Sequence, residues 1–241
     1  MKGIILSGGS GTRLHPLTKI TSKQLLPIYN KPMIYYPLNT LLQAGIKEIL
    51  IIVAPERAGD YLNLLGSGSK FDCKFTYEIQ DKPKGLAEAF IIGENFIDED
   101  DVTMILGDNV FEDDLSEEIK SFKSGGKIFA KEVPDPERFG VVEMGENKKA
   151  LSIDEKPKNP KSNLCITGLY IFDKRVIEAA KNLKPSTRGE LEITDLQKWY
   201  MAKDELEVAT VLGEWMDTGT FDSLLAAQNF AKEKLQDKMI I

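Results

Sequence analysis

The sequence predicts an α/β fold built on a mostly parallel sheet with helices on both faces. Three observations predict it. Short apolar segments alternate with segments of helical spacing from the start of the chain to Leu106. The segment Glu48–Ala54 (Glu-Ile-Leu-Ile-Ile-Val-Ala) is almost uniformly apolar and β-branched, the signature of a strand covered on both sides. The strands run into glycine-rich or acidic loops, where ligands gather in such sheets.

The elements follow in order. Gly3–Ser7 reads as the first buried strand, and Met33–Ala44 as a helix stopped by Gly45. Glu48–Ala54 is the next strand, Pro55–Leu65 a helix, Phe75–Ile79 a strand, Leu86–Phe96 a helix and Val102–Leu106 a strand. After about residue 126 the pattern changes. Lys127–Lys131, Gly140–Met144 and Leu151–Asp154 read as short β segments joined by polar turns. Cys165–Phe172 is a further strand, and Ser186–Tyr200 carries a helix. Val208–Leu212 and the Trp215 region precede a final amphipathic helix, Thr220–Leu235. No low-complexity linker or internal repeat divides the chain, so residues 1–241 are expected to form one domain with β-rich substrate-binding segments folded onto the core.

Composition narrows the function. Hydrophobic residues make up 42% and charged residues 29%, as in ordinary globular proteins. The formal net charge of −7 argues against non-specific binding to nucleic acid or to an anionic membrane. An acidic protein that binds polyphosphate must localise its positive charge, and a divalent cation is expected beside it. Cys73 and Cys165 form no Cys-x-x-Cys, which excludes a zinc ribbon and leaves structural thiols of a reducing compartment. The single histidine, His15, rules out a two-His metal site within the chain and argues against Ser-His-Asp chemistry; it reads as a loop residue. The first apolar run is three residues long, so no signal peptide is expected. No segment approaches the ~18 apolar residues of a membrane span, and the expected location is cytoplasmic.

The chemistry begins with Leu6-Ser-Gly-Gly-Ser-Gly-Thr-Arg13. Gly8, Gly9 and Gly11 bring bare N–H groups against an anion, Ser10 and Thr12 add hydroxyl donors, and Arg13 adds a fork that fits phosphate oxygens. The loop is not a P-loop, because Lys23 lies twelve residues after Gly11. Nor is it a dinucleotide fingerprint, because Leu14 stands where the third glycine belongs. A flexible strand–helix turn is the alternative.

Asp108 and Asp217 each follow a strand and precede polar sequence. Each reads either as a Mg²⁺ ligand or as a helix N-cap. Lys23 and Gln24 offer a cation and an amide near the first loop. Gln80, in Gln80-Asp-Lys-Pro-Lys-Gly85, carries donors and an acceptor that suit the imide edge of thymine or uracil, and Gly85 permits close approach of a base. Glu155-Lys156 reads as a surface ion pair or as a carboxylate for sugar hydroxyls beside an ammonium for phosphate. Arg188 offers another phosphate contact, with Glu190 and Glu192 as first-turn helix acids.

Several of these runs together resemble glucose-1-phosphate thymidylyltransferases, over essentially the whole chain. The markers are Leu6 to Pro16, Lys23-Gln-Leu-Leu-Pro with Pro32-Met-Ile-Tyr-Tyr-Pro37, Gln80 with Pro83 and Gly85-Leu-Ala, and Leu106-Gly-Asp-Asn109. Further along they are Asp135-Pro-Glu-Arg-Phe-Gly-Val-Val142, Glu155-Lys-Pro, Thr167-Gly-Leu-Tyr170, Arg188-Gly-Glu-Leu-Glu-Ile-Thr-Asp195 and Trp215-Met-Asp-Thr-Gly219. The resemblance implies a Rossmann-like, mostly parallel sheet of the sugar nucleotidyltransferase type. About 1–126 would be the nucleotide-binding core, and about 127–241 the part that binds sugar and completes the metal site. It implies that Leu6, Gly8, Gly9, Ser10, Gly11, Thr12, Arg13, Gln24, Gln80, Pro83 and Gly85 bind the nucleotide. Asp108, Gly140, Glu155, Lys156, Ile166, Tyr170 and Arg188 would bind the sugar phosphate, and Asp108 and Asp217 would hold Mg²⁺. Arg13, Lys23 and Lys156 would be the catalytic cations.

Position 139 is Phe where such proteins often carry Tyr, which removes a hydroxyl contact. The sequence resembles a short form without the C-terminal extension that supplies a regulatory site and subunit contacts in longer members. A homo-oligomer is an expectation carried over from them. The expected reaction is dTTP plus α-D-glucose 1-phosphate giving dTDP-glucose and pyrophosphate, towards dTDP-rhamnose and other deoxysugars. The alternatives are a uridylyltransferase using UTP on the same sugar phosphate, and a non-catalytic sugar-nucleotide sensor.

Overall fold

The computed structural model describes residues 1–236 and 238–241. Strand β1 (Lys2–Ser7) leads into a loop of 3₁₀ turns and two short strands, β2 (Pro27–Ile28) and β3 (Lys31–Pro32). Helix α1 (Tyr35–Gln43) then leads to β4 (Glu48–Val53), and α2 (Ala58–Leu65) to β5 (Lys74–Ile79). Helices α3 (Glu88–Ile92) and α4 (Glu94–Ile97) precede β6 (Val102–Leu106) and the short β7 (Asn109–Phe111). Helix α5 (Ser116–Lys120) is followed by β8 (Gly126–Glu132), β9 (Gly140–Met144), β10 (Ala150–Glu155) and β11 (Leu164–Phe172). Helices α6 (Val176–Lys181) and α7 (Ile193–Met201), strands β12 (Leu206–Thr210) and β13 (Trp215–Asp217), and α8 (Phe221–Phe230) complete the order.

Nine strands form one sheet in the order β10-β9-β11-β6-β1-β4-β5, with β8 pairing β11 and β12. β1 is parallel to β4 and β6, and β4 to β5, as the βαβα pattern requires. The later strands continue this sheet through antiparallel pairs of β11 with β6, β8 and β9. Alternate residues go to opposite faces. Ile4, Leu6, Leu50 and Ile52 pack on one side with Phe90 and Tyr200. Ile5, Ile49, Ile51 and Val53 pack on the other with Leu38 and Tyr61. Each such fully buried side chain contributes roughly 1.5–3 kcal/mol, which explains the unbroken apolar runs. A third cluster, including Leu14, Met33, Val110 and Leu224, docks α8 against the loop region.

Register positions the site. Ser7 is paired with Val53, Val53 with Ile79, and Leu6 with Leu106. The carboxyl ends of four parallel strands therefore lie level, and Gly8, Gln80 and Gly107 leave the sheet along one edge.

Several elements differ from expectation. The helix expected over Leu86–Phe96 is broken at Gly93, where an added Cβ would stand 3.0 Å from Leu50 Cδ2 and 3.3 Å from Ile4 Cδ1. The helix expected within Ser186–Tyr200 starts only at Ile193, because the preceding segment is bonded elsewhere. The Val208–Leu212 strand lies two residues earlier, and α5, α6 and β7 were not foreseen. Both cysteines are free thiols; Cys165 is buried and Cys73 partly buried. Among the described residues no helix is long and apolar enough to cross a membrane.

Candidate active site

Two cavities open along the level strand ends. The first, of about 370 Å³, is walled by Gly140, Glu155, Lys156, Ile166, Tyr170 and Arg188, with Arg13, Asp108 and Asp217 on its rim. The second, of about 210 Å³, is walled by Leu6, Gly9, Gln24, Gln80, Pro83 and Gly85, with Lys23 at its base. Leu86, Leu106, Asp108 and Glu190 line both, so the cavities are two arms of one cleft. Asp108 stands at their junction.

The two aspartates meet through strand pairing. β13 is antiparallel to β7, with Asp217 opposite Asn109. Thr218 donates its N–H and its hydroxyl to the Asp108 carbonyl at 3.1 and 2.8 Å. Asn109 organises the junction. Its Nδ2 donates to Asp108 Oδ1 at 3.1 Å, while its Oδ1 accepts from Gly168 N at 2.9 Å and Trp215 Nε1 at 2.6 Å. Neither aspartate caps a helix. Asp108 leads into β7, and α8 is capped by Thr220, which exchanges hydrogen bonds with Ser223.

The electrostatics of the pair are asymmetric. Burial alone would raise the Asp108 carboxyl, but the charge and hydrogen bond of Lys23, helped by Asn109, hold it below the usual carboxylate range. Asp217 has no such partner. Burial and the neighbouring Asp108 charge push it up to about 6, against weaker opposition from Lys23, Arg13 and Arg138. A partly buried carboxylate forced against a second one is a site that gains from a cation. Among the described residues no group of three or more His, Cys, Asp or Glu side chains gathers at one point. Two carboxylates, with water and phosphate oxygens completing the shell, can hold a divalent cation.

In the first arm, Glu155 ends β10 opposite Gly140. Its Oε2 accepts from Thr194 at 3.2 Å and its Oε1 from Arg188 at 3.2 Å. The Glu155–Lys156 pair expected from sequence is loose, at 3.7 Å. Lys156 is half exposed and has φ of 46°, uncommon for a residue with a side chain, and this directs the chain back to Phe139, whose carbonyl accepts the Lys156 N–H at 3.0 Å. Arg188 is gripped by buried Glu192 through Nε at 3.0 Å and Nη2 at 2.7 Å, with Glu190 at 3.5 Å. Burial, with the charges of Glu155, Asp108 and Asp217, pushes the Tyr170 phenol far above its ordinary value, so it remains a neutral hydroxyl.

On the other arm, two glutamine amides are held by buried partners. Gln24 Oε1 accepts from Ser22 Oγ at 2.8 Å and Tyr61 OH at 3.2 Å, which leaves its NH₂ free. Gln80 Nε2 donates to Glu88 at 2.8 Å, which leaves its oxygen free. Gly8 is buried against that oxygen; a Cβ there would stand 2.2 Å from Gln80 Oε1. Gly85 has φ of 105°, and its missing side chain faces the Leu191 backbone rather than open cleft. A Cβ at Gly85 would stand 2.3 Å from the Leu191 carbonyl, so the glycine is required first by this backbone contact.

The structure brings most of the expected residues together but not all. Ser10 and Thr12 are exposed on the loop, and neither they nor Gly8 and Gly11 wall either arm. Arg13 walls the arm with Asp217. Sequence reasoning missed Asn109, Arg138, Thr194 and Glu88. Arg138 bonds Asp135 at 2.6 Å and lies over the Phe139 ring, which packs edge-on against Trp215. Asn109 was readable as the second polar residue after a buried strand; Arg138 and Glu88 carry no spacing signal.

Comparison with known proteins places the chain in a family. Residues 2–234 match the family model described as nucleotidyl transferase. A glucose-1-phosphate thymidylyltransferase of Neisseria meningitidis is 53% identical over 96% of this chain and 83% of its own length. One from Mycolicibacterium smegmatis is 50% identical over 96% and 82%. A Bacillus anthracis crystal structure described as a glucose-1-phosphate thymidylyltransferase, in complex with sucrose, superposes with a TM-score of 0.91 at 47% identity, over 97% of this chain and 96% of that one. A UDP-glucose pyrophosphorylase with UDP-glucose bound reaches 0.84 at 24% identity, a likeness of fold alone.

Proposed function

The chain belongs to the nucleotidyl transferase family, and from that premise we propose that it transfers a thymidylyl group from dTTP to α-D-glucose 1-phosphate, releasing pyrophosphate and dTDP-glucose. The observation that carries the reading is the meeting of two arms at Asp108. One arm is walled by Gly9 of the glycine loop and by Gln24 and Gln80, the other by Glu155, Lys156 and Arg188.

In this reading, residues 1–126 bind the nucleotide and residues 127–241 bind the sugar phosphate and complete the metal site within one domain. Leu6, Gly8, Gly9, Ser10, Gly11, Thr12, Gln24, Gln80, Pro83 and Gly85 hold the nucleotide. Gly140, Glu155, Ile166 and Tyr170 hold the sugar. Lys156 and Arg188 receive its phosphate.

A phosphate oxygen of the sugar attacks the α-phosphorus in line. A P–O bond forms as the bond to the β-phosphate breaks, and pyrophosphate leaves with that electron pair. The nucleophile is already anionic near neutral pH, so no side chain needs to take a proton. This agrees with an exposed His15 and a neutral Tyr170. Arg13, Lys23 and Lys156 position and neutralise the phosphates. Asp108 and Asp217 would hold Mg²⁺, which supplies further charge neutralisation on the transferring phosphoryl group.

The test is pyrophosphate release by the purified protein with glucose 1-phosphate, Mg²⁺ and either dTTP or UTP, repeated in EDTA. Metal-dependent release favouring dTTP is expected, by no more than ~10–200-fold, because one methyl separates the bases. Faster release with UTP would change the nucleotide, and none with either would remove the activity. A second outcome concerns Gly8. Its Ala variant should displace the flexible Gln80 amide while leaving the fold intact. The KM for dTTP should rise about ten-fold, the scale of one hydrogen bond left unmade in a buried site. Unchanged KM would place Gln80 outside base recognition.

A further inference from the structure

Glu88 sits behind the amide that faces the base. It walls a separate depression of about 190 Å³ with Ile79, Gln80 and Lys84, which shares Gln80 alone with the nucleotide arm. We infer that Glu88 is a positioning residue that sets base selection by fixing which end of the Gln80 amide faces the nucleotide, an inference that rests on the thymidylyl-transfer reading above.

An amide can present either a donor or an acceptor, and its sequence context does not decide which. Here the surroundings decide. Gln80 is only 4% exposed, and its Nε2 donates to Glu88 Oε2 at 2.8 Å. The same oxygen accepts the Lys84 backbone N–H at 3.1 Å, and the Lys84 ammonium lies 3.6 Å from Oε1. The carboxylate is thereby tied to the loop that carries Pro83 and Gly85. Turning the amide over would set two acceptors, Gln80 Oε1 and the Glu88 carboxylate, against each other. It would also lose a charge-assisted hydrogen bond. The free oxygen is therefore held against Gly8, next in the chain to Gly9, which walls the nucleotide arm together with Gln80.

An acceptor fixed at this point matches one class of base. The imide N3–H of thymine and uracil is a donor, whereas N3 of cytosine is an acceptor. Facing Gln80 Oε1, the first makes a hydrogen bond and the second leaves two acceptors desolvated together. Without Glu88 the amide can turn, and its NH₂ can then serve cytosine. A residue that merely began helix α3 with a favourable first-turn charge would affect stability and leave base preference unchanged.

The experiment measures dissociation constants for dTTP and for dCTP, with Mg²⁺, by titration calorimetry, and kcat and KM with both. The proteins are the wild type, E88A, E88Q, Q80A and the Q80A/E88A double variant, with thermal unfolding run on each. The wild type should prefer dTTP. In E88A the dTTP/dCTP preference should fall about ten-fold or more, the cost of buried polar groups left mispaired. KM should carry the change, with kcat within about three-fold, since Glu88 is remote from the reacting phosphorus. E88Q should retain part of the preference, because its amide oxygen can still accept from Gln80. On the Q80A background, E88A should leave the ratio unchanged. Equal weakening of dTTP and dCTP in E88A, or a ratio still moved by E88A when Gln80 is absent, overturns the inference, as does a wild type with no preference for dTTP. A wild type that binds dTTP selectively but releases no pyrophosphate removes the catalytic reading alone, and the Glu88 effect is then read from binding.

Discussion

Replacing Asp217 by asparagine is expected to lower turnover about 10³-fold and to make the metal-free protein harder to unfold above pH 6. The first effect is the loss of several kcal/mol of charge stabilisation at the transferring phosphate. The second follows from the raised pKa of Asp217. The carboxyl moves from an ordinary 3.8 to about 6 in the folded protein. The folded state therefore binds its proton more tightly than the unfolded state does. No penalty exists below about pH 4; it grows between 4 and 6 and is complete above 6. Two units correspond to about 3 kcal/mol, a ceiling for the gain in D217N at pH 8. Thermal unfolding in EDTA at pH 4.5 and pH 8 checks it, the difference between D217N and wild type widening from the lower pH to the higher. A variant less stable than wild type at pH 8 would show that Asp217 is not repelled in the empty site.

Replacing Asp108 by alanine should also abolish turnover, but with the opposite effect on the fold. Lys23 is 8% exposed and its ammonium is paired with Asp108. Removing the carboxylate leaves that charge buried and uncompensated, at a cost of about 3–5 kcal/mol. D108N should recover much of the stability, because the amide oxygen can still accept from Lys23, and little of the turnover. Denaturant unfolding of D108A and D108N beside the wild type measures this. Equal stability of D108A and wild type would mean that Lys23 finds water or another carboxylate. Two aspartates that look equivalent in the sequence, each after a strand and before polar residues, thus separate into one that holds the fold and one that strains it.

The parallel half of the sheet was legible because burial on both faces leaves only apolar residues to choose from in β1, β4 and β6. The Val208–Leu212 strand was displaced by two residues, a slip that keeps every side chain on its own face and so leaves no trace in an alternating pattern. The expected helix within Ser186–Tyr200 begins late because its first part is committed to tertiary bonds. Leu191 N donates to the Lys84 carbonyl at 2.7 Å, and Arg188 is clasped by Glu192. Propensity carries no information about such bonds. The site residues were legible one at a time, as glycines and charged groups at strand ends. Their partnerships were not. Lys23 finds Asp108 across 85 residues and Arg188 finds Glu155 across 33, through the fold rather than through spacing.

The pairing of β13 with β7 also sets a clock. Thr218 and Asp108 are 110 residues apart, yet they bond directly. At ~5–20 residues per second, a ribosome needs roughly 5–20 s to pass from one to the other. During that interval the nascent chain can carry its glycine loop, Gln80 and Asp108, but not Asp217. On the thymidylyl-transfer reading, the last strand to be synthesised is therefore the one that brings the second carboxylate to the first and completes the proposed site.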